Sequence, residues 1–191
     1  MSDARLILVR HGETEWSRNG RHTSTTDLPL TAEGERQAQV LAAAVAGLGI
    51  DRVLCSPRRR ARRTAELIGF ADPEVSGDLV EWDYGDYEGI TTLEIRETVP
   101  DWTIWSHGAP GGESGEQVAV RLDRVVERVR RSGGTTLAVA HGHSLRALVA
   151  RWLGLPIAEG RHFLLDTATW SELGDDRGTP AVLTWNVGRR R

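Results

Sequence analysis

An Arg-His pair follows directly on an apolar run in Leu6-Ile7-Leu8-Val9-Arg10-His11. Four branched residues in a row read as a buried strand. Arg10 and His11 then fall at its carboxyl end, where open α/β sheets bind ligands. An imidazole beside a guanidinium suits attack on a phosphate. The ring nitrogen is a neutral nucleophile, and the planar fork matches phosphoryl oxygens. A second histidine cluster, His141-Gly142-His143, stands in the same relation to the run Thr135 to Ala140. The backbone N–H groups that open the helix after it face any anion placed there. Two further segments carry usable chemistry. Ser56-Pro57-Arg58-Arg59-Arg60 supplies guanidinium groups, and the segment Glu81 to Gly89 supplies four carboxyl groups.

Elements to position these groups are legible in the pattern. Helical and strand segments alternate, which argues for an α/β domain with a mostly parallel sheet. The spacing predicts a helix from about Thr31, with Glu33 and Glu35 in its first turn and a stripe of Ala38, Leu41, Ala42 and Val45. A strand is predicted over 52–55. Ser56 and Pro57 then read as an N-cap and first-turn proline for a helix to about Ile68. Ser114 and Gln117 form a capping box for a helix with Val118, Leu122, Val125 and Val129 on one face. A strand over 135–140, a helix over 143–153, and shorter strands over 169–173 and 182–187 complete the reading. The Arg189-Arg190-Arg191 tail reads as solvated and disordered.

Composition narrows the function classes. The chain has 191 residues and a net charge of −3, which suits one domain with no general pull on nucleic acid or acidic membranes. All 24 basic residues are Arg, so Schiff-base and P-loop lysine chemistry are excluded. The single Cys55 allows no internal disulfide and fits a reducing cytoplasm. No leader peptide and no membrane span are visible. No Cys, His or carboxylate cluster has metal-ligand spacing.

Taken together, the four segments resemble the histidine phosphatase superfamily, also called the phosphoglycerate mutase-like family. The resemblance covers about residues 5 to 187, with the motifs in the family's order. It implies a three-layer α/β/α sandwich and a phosphomonoesterase that needs no metal or cofactor. Carried over by position, His11 is the nucleophile, Arg10 and Arg60 bind phosphoryl oxygens, His141 is the second histidine of the phosphate pocket, and Glu81 is the proton donor. Ser17, Thr23, Gly142 and His143 fall in substrate-binding positions. Ser17 stands where many members have Asn, and Thr23-Ser24 where many have Gln-Gly. The Glu81 to Gly89 segment, Trp102-Thr103-Ile104-Trp105 and Gly111-Gly112-Glu113-Ser114 look like the phosphatase branch. Small bacterial acid phosphatases and sedoheptulose-1,7-bisphosphatases are the members they most resemble. A phosphoglycerate mutase and a non-catalytic phospholigand-binding regulator are the rival readings. The expected partner is a small phosphate ester; a homodimer stays open.

Other residues read as scaffold. Arg58, Arg59, Arg62 and Arg63 are expected on a solvated face and Glu88 in a structural role. Cys55 is expected in the core. His22, His107 and His162 are expected at the surface, with His22 on a segment within reach of the site. Trp82, Trp102 and Trp105 are placed near the pocket entrance.

Overall fold

A computed structural model describes residues 4–188; the basic tail from Arg189 lies outside them. Four parallel strands carry the site: β1 (Arg5–Arg10), β2 (Arg52–Cys55), β3 (Glu74–Val75) and β4 (Thr135–Ala140). Two more, β5 (Trp170–Asp176) and β6 (Thr179–Val187), form a hairpin antiparallel to one another, with β5 antiparallel to β1. The order across the sheet is β3-β2-β4-β1-β5-β6. The sheet is therefore mixed and mostly parallel, as expected for the α/β class.

Helices cover both faces, which is why the central strands read as continuous apolar runs rather than alternating ones. Ile7 and Val9 of β1 and Leu137 and Val139 of β4 point to one core. There they meet α2 (Ala32–Ala46) and α3 (Arg59–Leu67). Leu6, Leu8, Ala138 and Ala140 point the other way, to α6 (Gly115–Ser132) and α7 (Gly142–Trp152). Short helices α1 (Glu15–Asn19), α4 (Thr92–Arg96) and α5 (Ile104–His107) lie in the connecting segments. The two cores on either side of one sheet are the three layers of the sandwich.

The predicted caps hold at Thr31, whose hydroxyl accepts from Gly34 N–H, and at the Ser114–Gln117 box. Ser56 does not cap α3. That helix starts at Arg59 with Arg58 at the N-cap and no side-chain cap bond, while the Ser56 hydroxyl is drawn to His141, 85 residues on. The hairpin strands run longer than predicted, because Arg177 and Gly178 both adopt positive φ and close a tight turn between them.

Candidate active site

Three adjacent parallel strands deliver the site. In the pairing register Arg10 lies beside Ala140, and Cys55 beside Val139. His11, His141 and Ser56 therefore emerge at the same edge of the sheet. His11 N–H still donates to Ala140 O at 3.0 Å, and Ser56 N–H to Val139 O at 3.0 Å. The two imidazole rings sit 5.2 Å apart in an edge-on arrangement.

Hydrogen bonds assign the tautomers. His11 Nδ1–H donates to the Gly12 carbonyl at 2.7 Å. A carbonyl can only accept, so Nε2 keeps the lone pair a nucleophile needs. Arg60 Nε–H donates to His141 Nδ1 at 3.1 Å, and His141 Nε2–H donates to Ser56 Oγ at 2.7 Å. Burial and the cations of Arg60 and Arg10 hold His11 well below the usual histidine value of 6.5. Burial lowers His141 likewise, helped by Arg60 and by His11. Both rings are neutral bases in the free protein.

The loop after β1 is pinned by close backbone contact. A Cβ on Gly12 would lie 2.3 Å from Gly34 O, and one on Gly34 only 2.1 Å from Glu13 O. The N-terminus of α2 therefore packs onto the chain beside the nucleophile, and only glycine fits on either side.

Glu81 enters from the other side of the cavity. Its Oε1 accepts from Trp82 N–H at 2.9 Å and Ser144 N–H at 2.7 Å; its Oε2 accepts from His143 N–H at 3.0 Å. The first turn of α7 thus fixes the carboxyl group, as a helix N-terminus does for an anion. Oε2 makes a single bond and retains a site for a proton.

A cavity of about 180 Å³ opens over these groups. Of the sequence-derived candidates, Arg10, His11, Glu81, Ser17, Thr23, Gly142 and His143 line it. Arg60 and His141 do not; both are fully buried and bonded to one another. The Arg60 fork that the motif aimed at phosphoryl oxygens is instead largely occupied. Nη1 donates to Thr26 O at 3.0 Å, and Nη2 to Thr23 O at 3.2 Å and Ser24 O at 3.3 Å. Of five guanidinium N–H groups, one on Nη1 remains. Gly142 leaves room for Arg10, whose Cζ would lie 3.3 Å from a Cβ there. The buried Arg10 Nε has no hydrogen-bond partner.

Several lining residues escaped the sequence reading. Arg146 lies one turn after His143 on α7, a spacing that would have found it. Tyr84 reaches the cavity and its hydroxyl lies 2.5 Å from His143 Nδ1. Arg21 and Thr14 line it too. His22 is not a surface residue. It packs 4.6 Å from the Tyr84 ring and lines the cavity, and burial lowers it to about 4. Ser17 is the N3 residue of α1 in a capping box with Thr14.

The scaffold assignments fare well. Glu88 is structural, since its carboxylate accepts from Ser24 N–H and Thr26 N–H at 2.9 Å and so holds the loop that grips Arg60. Cys55 is buried. Arg59 and Arg62 are exposed and Arg63 pairs with Glu35 and Glu66, whereas Arg58 is half-buried with a solvent-inaccessible Nε. His107 and His162 are exposed. Trp102 and Trp105 line a neighbouring cavity, while Trp82 is core beneath Trp105. Among the described residues, no group of three or more His, Cys, Asp or Glu is placed to hold a metal ion. No helix among them is long and apolar enough to cross a membrane.

Because His11 stays unprotonated below 6.5, the acid limb of the kcat/KM profile is expected below that value. A fall in kcat/KM already centred on about pH 6.5 would show a solvated, ordinary histidine as nucleophile. The same shifts have a stability sign. The unfolded chain binds protons to His11, His22 and His141 below 6.5 while the folded chain does not. Stability is therefore complete above 6.5 and lost as pH falls below it, so thermal midpoints measured from about pH 7 to 5 should decline.

The chain aligns with the family model described as histidine phosphatase superfamily (branch 1) over residues 6–188. It is 48% identical over 178 residues to an acid phosphatase of Mycobacterium tuberculosis, covering 91% of this chain and 88% of that one. It is 38% identical over 186 residues to a sedoheptulose 1,7-bisphosphatase of Saccharomyces cerevisiae, covering 80% of this chain and 69% of the other. A solved structure of an open reading frame from Mycobacterium tuberculosis superposes with a TM-score of 0.94 at 45% identity, covering 98% of this chain and 100% of that one. Relatives of these names favour a phosphatase over a mutase. The chain belongs to the histidine phosphatase superfamily, branch 1.

Proposed function

We propose that this chain hydrolyses phosphate monoesters of small metabolites through a phosphohistidine at His11, without a metal or cofactor. The observation that carries the reading is the cavity itself. A neutral imidazole with a free Nε2 lies beside Arg10 and opposite Glu81. The lining includes Arg10, Arg21 and Arg146 against the single carboxylate of Glu81. Such a surplus of positive charge suits a dianionic ester.

Nε2 of His11 attacks phosphorus and the ester P–O bond breaks. The proton on Glu81 passes to the leaving oxygen. Water then attacks the phosphoryl group and loses a proton to Glu81, and the N–P bond breaks to restore neutral His11. Arg10 stabilises charge on the equatorial oxygens during both displacements. His141 sits behind the nucleophile, held by Arg60 and Ser56, and supports its orientation.

The test is incubation of the protein with p-nitrophenyl phosphate and with 3-phosphoglycerate in the presence of EDTA. Release of inorganic phosphate from both is the expected result. Conversion of 3-phosphoglycerate to 2-phosphoglycerate without phosphate release would make the protein a mutase. Activity lost in chelator and restored by a divalent ion would contradict the metal-free mechanism.

The position of Arg60 gives a second test. Arg60→Ala leaves the Thr23, Ser24 and Thr26 carbonyls without their donor and frees His141 Nδ1. A loss in kcat/KM of about 10²- to 10³-fold is expected, comparable with removal of an oxyanion donor. Arg59→Ala, at an exposed position, should change it less than about twofold. Equal losses in the two variants would show that Arg60 has no special place.

A further inference from the structure

Strand β6 is irregular near its end. Trp170 of β5 pairs with Val187 and Glu172 with Thr184, so Trp185 and Asn186 together oppose Ser171 alone. This is a β-bulge, which re-aims the side chains of the bulged strand. Asn186 adopts a left-handed φ of +54°, which asparagine tolerates better than most residues. Its N–H donates to the buried Ser171 Oγ at 2.9 Å. Both bulged side chains grip the segment that leads into β5. Trp185 Nε1–H donates to Leu164 O at 2.7 Å. Asn186 and Asp166 form a reciprocal pair: Asn186 Oδ1 accepts from Asp166 N–H at 2.9 Å, and Asn186 Nδ2 donates to Asp166 Oδ2 at 2.9 Å. β6 thus holds the chain on either side of Leu165.

The Leu165 carbonyl accepts from Arg10 Nη1 at 2.5 Å, and among the described residues it is the one hydrogen-bond acceptor of that guanidinium. Leu165 C=O and Asp166 N–H belong to one peptide group, and that group is planar. Asn186 therefore takes the N–H end of the unit whose carbonyl end takes Arg10. Turning the peptide would break both bonds at once. The bonds run head to tail from the guanidinium, through the peptide and the Asn186 amide, to the Asp166 carboxylate. A cation at one end and an anion at the other polarise every link between them. The backbone of Arg10 is fixed separately, since its N–H donates to Thr169 O at 3.3 Å and its carbonyl accepts from Ala168 N–H at 3.1 Å. What remains to be set is the direction of the fork, and a misplacement of about 1 Å costs on the order of 10²-fold in rate.

We propose that Asn186 and Asp166 are positioning residues for Arg10: the bulge of β6 orients the Leu165–Asp166 peptide, and that peptide aims the guanidinium at the phosphoryl group. Neither side chain lines the cavity over His11, so both act through Arg10 alone. This rests on the phosphatase reading above for what Arg10 binds.

A double-mutant cycle with Arg10 tests it. Asn186→Gly deletes the amide and keeps the backbone, since glycine adopts positive φ freely. It should lower kcat/KM for p-nitrophenyl phosphate by about tenfold in the native background, the scale of one hydrogen bond to a charged group. In Arg10→Gln the same change should cost less than about twofold, because the group it aims is gone. Asp166→Ala, at a half-buried position, removes one bond of the pair and carries the cycle should Asn186→Gly not fold. It should cost about threefold, and Asp166→Asn, which keeps an acceptor for the Asn186 amide but not the charge, should recover that loss in part. Titration calorimetry with inorganic phosphate on the native protein, the two single variants and the double variant gives Kd without turnover, and the same non-additivity is expected. Equal losses in the two backgrounds, or losses within about twofold in the native background, overturn the positioning role and leave the bulge a matter of stability. Non-additive Kd values without phosphate release from p-nitrophenyl phosphate overturn the hydrolytic reading and leave the positioning role standing.

Discussion

Replacing His11 with alanine is expected to abolish turnover, with a fall in kcat of roughly 10⁴-fold or more, the scale seen when a covalent nucleophile is removed. Three features of the site lead to this result. The Gly12 carbonyl fixes the proton on Nδ1, so Nε2 is available without any base to activate it. Burial and two neighbouring cations keep the ring unprotonated. The side chain faces a cavity in which the remaining titratable neighbours are themselves held, Glu81 by α7 and His143 by Tyr84. Rapid quenching of the native protein with labelled substrate should trap a phosphoryl group that is labile in acid and stable in base. His11→Ala should trap none. Label that persists in that variant would move the nucleophile elsewhere, and Cys55 is an unsuitable alternative. It is buried on the sheet and its thiol is pushed up to about 12.

Much of this was written locally in the chain, and the exceptions have a common cause. Strands β2 and β4 match their sequence assignments residue for residue, because both are apolar runs bounded by turn residues. Helix α6 was legible from its capping box and its stripe of valines. The short α1 was not. It buries none of its residues, so no periodicity marks it. Its capping box uses serine at N3 rather than the usual Glu or Gln. Ser56 misled for a different reason. A Ser-Pro pair carries the signature of a helix start, but a buried imidazole far along the chain outcompeted the backbone for its hydroxyl.

Non-local contacts also separate the two roles that arginine plays here. Motif register identified Arg60 as special among its neighbours, and it alone of the arginines from Arg58 to Arg63 is fully buried. Register could not say that its fork would close on a loop more than thirty residues earlier. That loop is held in turn by Glu88, and Arg60 holds His141. The result is a continuous chain of supports from Glu88 to His141. Arg146 shows the converse. It lies only three residues past His143, yet it takes the folded chain to show that it lines the reactive cavity and a second one built with α4, α5 and the segment around Arg161.

Glu81→Gln is the second large effect, and its size should depend on the leaving group. An alkoxide leaves poorly without a proton, whereas p-nitrophenolate leaves readily. Glutamine preserves the shape and the two acceptor positions on its carbonyl oxygen, so bonds from Trp82 and Ser144 N–H can persist and α7 should remain anchored. What is lost is the acceptor for His143 N–H, the ability to deliver a proton and, in the second displacement, the ability to accept one from water. Alkyl phosphates such as glycerol 3-phosphate should therefore lose about 10²- to 10⁴-fold in kcat/KM, the range for a general acid. With p-nitrophenyl phosphate the first step should be nearly spared, so phosphohistidine accumulates and a burst of p-nitrophenol precedes a slow steady state. The burst separates the two duties of one carboxyl group. A uniform loss on both substrates without a burst would show that Glu81 only anchors the N-terminus of α7, where its three backbone bonds place it in either case.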